Sequence, residues 1–331
     1  MKTAVTGASG HVGVNLVRTL LARGDRVRTV VRRRTEGLEG LSVEMAGADL
    51  DNVEALTAAF TGCEVVFHAA ARISITRHDA TDVEAVNVQG TRNVLSACRA
   101  AGVRRMIHFS SIEAIEPRPW DRPVDEDRPG VDAALGSPYA LSKAQAEREV
   151  LAAREGLEVV VINPTAIIGP LDFRPSLLGR AIVAMARGWL PMLVDGGFDW
   201  VDVRDVAAAA AAAVRAPAGR RYIVGGRWAS MRELASLVCA QVGRMPPRLL
   251  CPYPLARAWA PVSAGFNRLL GREPLFTSSS LEVLRGNRQV SHERAARELA
   301  YCARPLEQTV ADTVEWFRQA GQVPWPSAQH A

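Results

Sequence analysis

Lysine is almost missing from this chain. Of its 40 basic residues only Lys2 and Lys143 are lysine, and the other 38 are arginine. The arginines are spread along the whole length of an alanine-heavy sequence. The net charge of +5 and pI near 9.2 therefore read as a composition bias, and no nucleic-acid partner is expected. Cysteine is sparse as well. Cys63, Cys98, Cys239, Cys251 and Cys302 are odd in number, far apart and without a CxxC pair, which fits reduced thiols in a cytoplasmic protein and excludes a disulfide framework. The six histidines show neither HxxxH nor HExxH spacing, so no metal site is expected. No apolar run reaches the roughly 18 residues that a membrane span requires. The first residues turn into glycines before a signal-peptide core could form, so no leader is expected. Low-complexity tracts are lacking too, which excludes disorder and collagen-like repeats.

What is present is an ordinary globular composition, 48% hydrophobic and 23% charged over 331 residues, enough for one large core or one and a half domains. Short β-branched runs at 2–6, 26–31, 64–68, 103–110 and 157–163 alternate with helical stretches at 12–23, 53–60, 83–101 and 138–155. The runs lack period-two alternation, so they predict strands buried on both faces of a parallel sheet. Strands alternating with helices predict an α/β, doubly wound Rossmann fold. From Pro164 onward prolines and glycines become frequent, and helices at 203–214, 231–242 and 306–319 flank a short strand at 221–224. This predicts a dinucleotide domain of residues 1–168 and 198–225, with a smaller mixed substrate lobe of residues 169–197 and 226–331 over the carboxyl ends of the sheet.

The first strand runs directly into Thr6-Gly7-Ala8-Ser9-Gly10-His11-Val12-Gly13, and a helix follows. Gly7 permits the tight turn, Gly10 lets backbone N–H groups approach a pyrophosphate, and Gly13 lets helix and strand pack closely. The GxxGxxG spacing with its leading threonine resembles the loop of the extended short-chain dehydrogenases/reductases, within the NAD-dependent epimerase/dehydratase superfamily. The resemblance covers nearly the whole chain. It implies that Asp49 and Leu50 meet the adenine and that Ala69, Ala70 and Ala71 wall the cofactor. Residues 87–94, NVQGTRNV, are similar to the long-helix motif of that branch, and Asn87 there either orders a water or caps backbone groups.

The second strand ends in Arg32-Arg33-Arg34, with no acidic residue until Glu36. A carboxylate there would bind the ribose 2′-hydroxyl and select NAD, whereas arginine accommodates a 2′-phosphate. NADP(H) is therefore favoured over NAD(H), with Arg32 as its reader.

Tyr139 and Lys143 lie four apart on a predicted helix and so share one face. With 4 tyrosines and 2 lysines such a pair is expected by chance about 0.02 times. A phenol with a pKa near 10 is a poor proton donor or acceptor at neutral pH. A cation about 4 Å away at an effective dielectric near 20 contributes roughly 4 kcal/mol, enough to lower that pKa by roughly three units. Tyr139 is then the expected general acid, and Lys143 also holds the ribose. Two hydroxyls, Ser110 and Ser111, end the preceding strand, and the family resemblance places Ser111 at the catalytic position.

Residues 163–175, NPTAIIGPLDFRP, resemble the corresponding stretch of dihydroflavonol-reductase-like members, and Ser111-Ile112-Glu113 resembles hydroxysteroid dehydrogenases. The resemblance implies that Pro164, Ala166 and Ile167 lie by the cofactor. Ile73, Glu113, Ile168, Phe173, Met192 and Trp200 are candidates for an apolar, partly aromatic substrate pocket. The leading expectation is an NADP(H)-dependent reductase, or reversible alcohol dehydrogenase, of a moderately apolar carbonyl compound. A nucleotide-sugar epimerase or dehydratase is the alternative, for which Arg174, Arg180 and Arg220 could hold a diphosphate. A non-catalytic dinucleotide sensor is the third. A homodimer through the helices at 83–101 and 138–155 is left open, because charges such as Arg92, Arg99, Glu147 and Arg148 are expected on their outer faces.

Overall fold

The computed structural model describes residues 1–32, 35–73, 80–132, 134, 136–153, 156–258, 281 and 283–324. In chain order the first half carries β1 (Lys2–Thr6), α1 (His11–Ala22), β2 (Arg26–Val31), β3 (Glu44–Gly47), α2 (Val53–Phe60) and β4 (Val65–His68). Then come α3 (Ala80–Glu84), a π-helical turn (Ala85–Gln89), α4 (Gly90–Ala100), β5 (Arg105–Phe109), α5 (Pro138–Ala152) and β6 (Glu158–Pro164). The second half adds β7 (Ala166–Ile168), α6 (Leu177–Arg187), β8 (Met192–Val194), β9 (Gly197–Asp202), α7 (Val203–Ala212) and β10 (Arg220–Val224). It closes with β11 (Arg227–Ser230), α8 (Met231–Gln241), β12 (Leu249–Cys251), α9 (Glu293–Leu299) and α10 (Leu306–Gln319).

Seven strands form one parallel sheet in the order β10-β6-β5-β4-β1-β2-β3. The doubly wound fold predicted from the alternation is what the chain adopts. All of β4 and β5 and nearly all of β6 are buried, which is why their sequences are apolar without alternation. Strand order reverses between β1 and β4. The crevice at that switch, outside the carboxyl ends, is where such sheets take ligands.

Local signals set the helices that frame the crevice. In α5 the Ser137 side chain caps the helix by accepting from Ala140 N at 3.1 Å, and Pro138 fills the first turn, where its missing N–H costs nothing. Alanines of α7 allow it to pack closely along α1, with Val206, Ala207 and Ala210 in the same core as Val14, Leu16 and Val17.

The chain leaves the main sheet after β6. β7 and β9 run parallel and β11 pairs antiparallel with β9, giving a separate three-stranded sheet, while β8 pairs with β12. Thus the last residues of segment 1–168 and the first of segment 198–225 share a sheet with the other lobe. Ile168, Ile182, Met185, Trp200, Leu234, Val310 and Phe317 form the core of that lobe.

In the first half of the chain three features depart from the sequence expectation, and in the second half β7, β8, β9, β11 and β12 were not anticipated. β3 was not anticipated: it is an edge strand, three of whose four residues are exposed, so it has no buried apolar run to announce it. The helix predicted at 83–101 is interrupted by the π turn. Glu147, expected on an outer face of α5, is instead 3% exposed.

Candidate active site

The glycine loop occupies the crevice. Gly7 has φ +70°, and a Cβ there would lie 2.6 Å from Ala70 N, so the turn presses directly against the chain leaving β4. A Cβ on Gly13 would stand 2.1 Å from Gly7 O, so the first turn of α1 packs directly on the loop that leaves β1. Gly10 begins α1 with no side-chain cap, and the first turn carries no acidic residue. The N–H groups of His11, Val12 and Gly13 therefore face outward without an intrahelical partner, at the positive end of the helix. That is a fit for a dinucleotide pyrophosphate. Ser9 lies in the same turn, and Ala69 N donates to Thr6 O at 3.2 Å, setting Ala69, Ala70 and Ala71 beside the loop.

The loop is also tied to the second lobe. His11 Nε2 lies 3.1 Å from Pro170 O, and Asn15 Nδ2 donates to the same oxygen at 3.1 Å. Just before it, Pro164 ends β6 opposite Val224, and Ala166 and Ile167 enter β7.

Beyond β2, Arg32 is 72% exposed and pairs with Asp49 across 3.6 Å. Leu50 follows Asp49, and its carbonyl accepts from Asn93 Nδ2 at 2.8 Å. Arg33 and Arg34 lie outside the described residues.

At the end of β5 and on α5 the structure brings Ser111, Tyr139 and Lys143 together. Ser111 Oγ accepts from Glu113 N at 3.2 Å, and its hydroxyl hydrogen-bonds the Tyr139 phenol. Lys143 is 3% exposed, and its Nζ donates to Phe109 O at 2.7 Å. Burial pulls the pKa of Lys143 down to about 8, opposed by the Glu147 carboxylate. The phenol departs from expectation. Burial and then the Glu113 carboxylate push the Tyr139 pKa well above its usual value, and only the Ser111 hydrogen bond works the other way. Lys143 spends its hydrogen bond on the Phe109 carbonyl rather than on the phenol, so the three-unit lowering expected from the spacing is not what this geometry gives.

Asn87 sits in the π turn and is buried. Its Oδ1 accepts from Arg72 N at 2.8 Å, while Nδ2 donates to Arg72 O and to Ser142 Oγ, both at 3.0 Å. Of the two roles left open for Asn87, capping backbone groups is the one this geometry displays.

A cavity of about 330 Å³ is lined by Ile112 and Glu113, which follow Ser111 in the chain, and by Ala140, which follows Tyr139, while Ser111, Tyr139 and Lys143 themselves are not among its lining residues. Ile112, Ile115, Val124, Val131 and Phe198 supply apolar walls, and Glu113 and Asp199 supply carboxyls. Of the six substrate candidates only Glu113 lines it. Ile168 and Trp200 are each 2% exposed in the core of the second lobe, where Trp200 Nε1 donates to Ala229 O at 3.0 Å. Phe173 stacks edge-on against Trp316 and lies over Gly37. Met192 pairs with Leu249 in β8, and Ile73 is 62% exposed.

Sequence reasoning missed the supports behind the site. Glu147 Oε2 accepts from Asn163 Nδ2 at 2.7 Å and Oε1 from Arg221 Nη1 at 2.9 Å. Its signal was available, since Glu147 continues the four-residue period of Tyr139 and Lys143 on one helix face. His68 was also passed over. Its Nδ1 lies 2.8 Å from Thr6 Oγ1 and its Nε2 3.1 Å from Thr91 Oγ1, joining the glycine loop to α4. A histidine ending an apolar strand was the clue. Burial, then Lys143, lowers its pKa to about 3, so the ring is neutral.

The parallel sheet, the glycine loop at its switch point and the hydroxyl–phenol–ammonium set define an NAD(P)-dependent enzyme of the extended short-chain dehydrogenase/reductase type. The chain belongs to the NAD dependent epimerase/dehydratase family, whose model matches residues 3–225. It is 38% identical over 336 residues to sterol demethylase protein B of Methylococcus capsulatus, covering 98% of this chain and 100% of the relative. A putative dihydroflavonol 4-reductase of Synechocystis is 33% identical over 96% of this chain and 95% of its own. The crystal structure of gox2253 superposes with a TM-score of 0.85 at 35% identity, covering 97% of this chain and 99% of that one. Among the described residues no helix is long and apolar enough to cross a membrane.

Proposed function

We propose that this enzyme uses NADP(H) to reduce a ketone or aldehyde of a moderately apolar substrate, or to run the reverse alcohol oxidation. The observation that carries the reading is the Ser111–Tyr139–Lys143 set, whose chain neighbours Ile112, Glu113 and Ala140 line a cavity with largely apolar walls. The basic groups that a nucleotide-sugar diphosphate would need do not converge there. Arg174 pairs with Glu36 at 2.8 Å, and Arg220 starts β10 opposite Val160, at the amino end of the sheet. Arg118, the basic residue of the cavity lining, is 51% exposed and pairs with Glu116. The sterol and dihydroflavonol names of the relatives are in keeping with an apolar carbonyl compound.

The cofactor, when bound, supplies hydride to the carbonyl carbon. Tyr139 donates its phenolic proton to the carbonyl oxygen, giving the alcohol, and Ser111 orients that oxygen. A raised phenol pKa keeps Tyr139 in the protonated form that reduction requires. Lys143, with its pKa near neutrality, supplies the positive charge and a proton within reach of the site. The Gly7–Gly13 loop holds the pyrophosphate, and Asp49, Leu50, Ala69, Ala70, Ala71, Asn87, Pro164, Ala166 and Ile167 flank the rest of the dinucleotide. Arg32 reads the 2′-phosphate, its exposed guanidinium being free to exchange the long contact with Asp49 for a dianion. Residues 1–168 and 198–225 carry the cofactor, and residues 169–197 and 226–331 complete the substrate site. The unpaired cysteines fit a cytoplasmic enzyme.

Absorbance-followed NADPH oxidation across aromatic aldehydes, ketones, flavanonols and keto-steroids, with NADH and Tyr139→Phe as controls, tests the reading. Substrate-dependent oxidation that Tyr139→Phe abolishes is the expected result. Purified protein that oxidises no NADPH with any carbonyl compound but retains tightly held NAD(P)+ would sink it in favour of internal cofactor recycling on sugar nucleotides.

A further inference from the structure

The ionisable groups of the cavity are unequal. Arg118 is paired with Glu116, and Asp199 Oδ1 accepts from Gly226 N at 2.7 Å. The Glu113 carboxyl has no hydrogen bond or ion pair to any described residue, although its backbone N–H is fixed on Ser111 Oγ. It lines the cavity close enough to Tyr139 for its charge to act on the phenol. Among the described residues no cation stands beside it, and desolvation by burial holds its pKa up at about 7. A half-buried carboxyl without a partner is satisfied by whatever fills the cavity.

We propose that Glu113 is a specificity-determining residue that makes this site one for uncharged hydroxyketones, selecting a hydroxyl next to the reacting carbonyl and shutting out carboxylates and phosphates. The proposal rests on the carbonyl-reductase reading above and names its substrate class. A hydroxyl matches this carboxyl better than other groups do. It donates to the carboxylate and accepts from the carboxylic acid, so it meets Glu113 in either protonation state. An anionic substituent meets a like charge in a low-dielectric pocket, and the Asp199 carboxylate, although held by Gly226 N, lines the same cavity and repels it as well. Placement beside Tyr139 puts the selected group near the carbonyl rather than at the remote end of the substrate.

Three phenyl ketones that differ in one substituent test this: 2-hydroxyacetophenone, acetophenone and benzoylformate. For the wild type, kcat/KM is expected to be at least tenfold higher for the hydroxyketone than for acetophenone, and at least tenfold lower for benzoylformate. Glu113→Gln, which keeps the shape and loses the charge, should raise benzoylformate at least tenfold relative to acetophenone. Glu113→Ala should erase the hydroxyl preference. Ratios that stay the same in all three proteins would overturn the proposal while leaving the reductase intact. If none of the ketones is turned over, calorimetric dissociation constants for the same three compounds and three proteins decide instead. The same order and the same response to Glu113→Gln support the charge selection although the reductase reading has failed, and equal affinities overturn it.

Discussion

Asn163 and Glu147 meet through an Nδ2–Oε2 hydrogen bond of 2.7 Å, and the same amide donates to the Ser111 carbonyl at 3.0 Å. The strand end that bears Ser111 is thus fastened to the helix that bears Tyr139 and Lys143. Arg221 balances the buried carboxylate at 2.9 Å. Removing one partner of such a pair leaves an uncompensated charge. Glu147→Leu is expected to cost about 3–5 kcal/mol in urea unfolding, as breaking a buried ion pair does. Glu147→Gln should cost less, since it keeps the Asn163 contact, yet it removes the anion that supports protonated Lys143. Its activity should therefore fall at a lower pH than in the wild type. Equal unfolding midpoints for Glu147→Leu and wild type would show that this pair does not hold the site.

Much of this was legible in the sequence for a physical reason: the signals are local. The turn at Gly7, the packing at Gly13 and the four-residue spacing of Tyr139 and Lys143 each depend on neighbours within one turn or one helix face. What was not legible depends on partners far along the chain. The cavity is closed by Val283, Asn287 and Val290 against Ile115 and Trp120, a pairing that no periodicity reveals. Trp200 and Ile168 have the composition of pocket residues, but the three-stranded sheet turns them into the core of the second lobe. β3 carries too little buried surface to leave a pattern.

Lys143 gives a pH dependence whose sign can be worked out. Its folded pKa of about 8 lies below its ordinary 10.5. Between those values the unfolded chain binds more protons than the folded one, so the Lys143 contribution to stability rises with pH through that window. Below pH 8 the cost of burying the ammonium is fully present. Activity should run the other way, because loss of the ammonium above pH 8 removes the positive charge that the proposed reduction draws from Lys143. Carbonyl reduction is expected to decline from about pH 8 upward while stability, relative to Lys143→Met, improves. Urea unfolding and initial rates from pH 7 to 10 provide the check, and parallel trends would contradict it.

The cofactor loop makes two separable predictions. A methyl group on Gly13 would stand 2.1 Å from Gly7 O, a backbone atom with no room to retreat. Gly13→Ala should therefore weaken NADPH and NADH alike by at least tenfold in fluorescence titrations, as expected when the N-terminal turn of α1 is displaced from the pyrophosphate. Arg32→Ala touches neither loop nor helix. It should weaken NADPH by about tenfold, the scale of one charge-assisted contact, and leave NADH within about twofold. A loss shared equally by both cofactors would remove Arg32 from the 2′-phosphate.

Two buried histidines side by side should respond oppositely to the same substitution. His68 and His108 face each other across paired strands with ring centroids 5.4 Å apart, and each is 1% exposed. His68 bonds Thr6 and Thr91, whereas neither ring nitrogen of His108 has a hydrogen-bond partner among the described residues. Burial, then Lys143 and His68, hold His108 far below its usual pKa, so it is a neutral ring with unmet polar atoms. Leucine in its place removes that penalty, and His108→Leu is expected to be neutral or to stabilise by about 1 kcal/mol. His68→Leu strips Thr6 of its partner and cuts the tie between the glycine loop and α4, at a cost of about 2 kcal/mol. Only His68→Leu should weaken NADPH binding, because only His68 reaches the loop. Thermal unfolding of both variants, with and without NADPH, separates them, and equal destabilisation would mean that His108 has a partner in solution that its surroundings do not display.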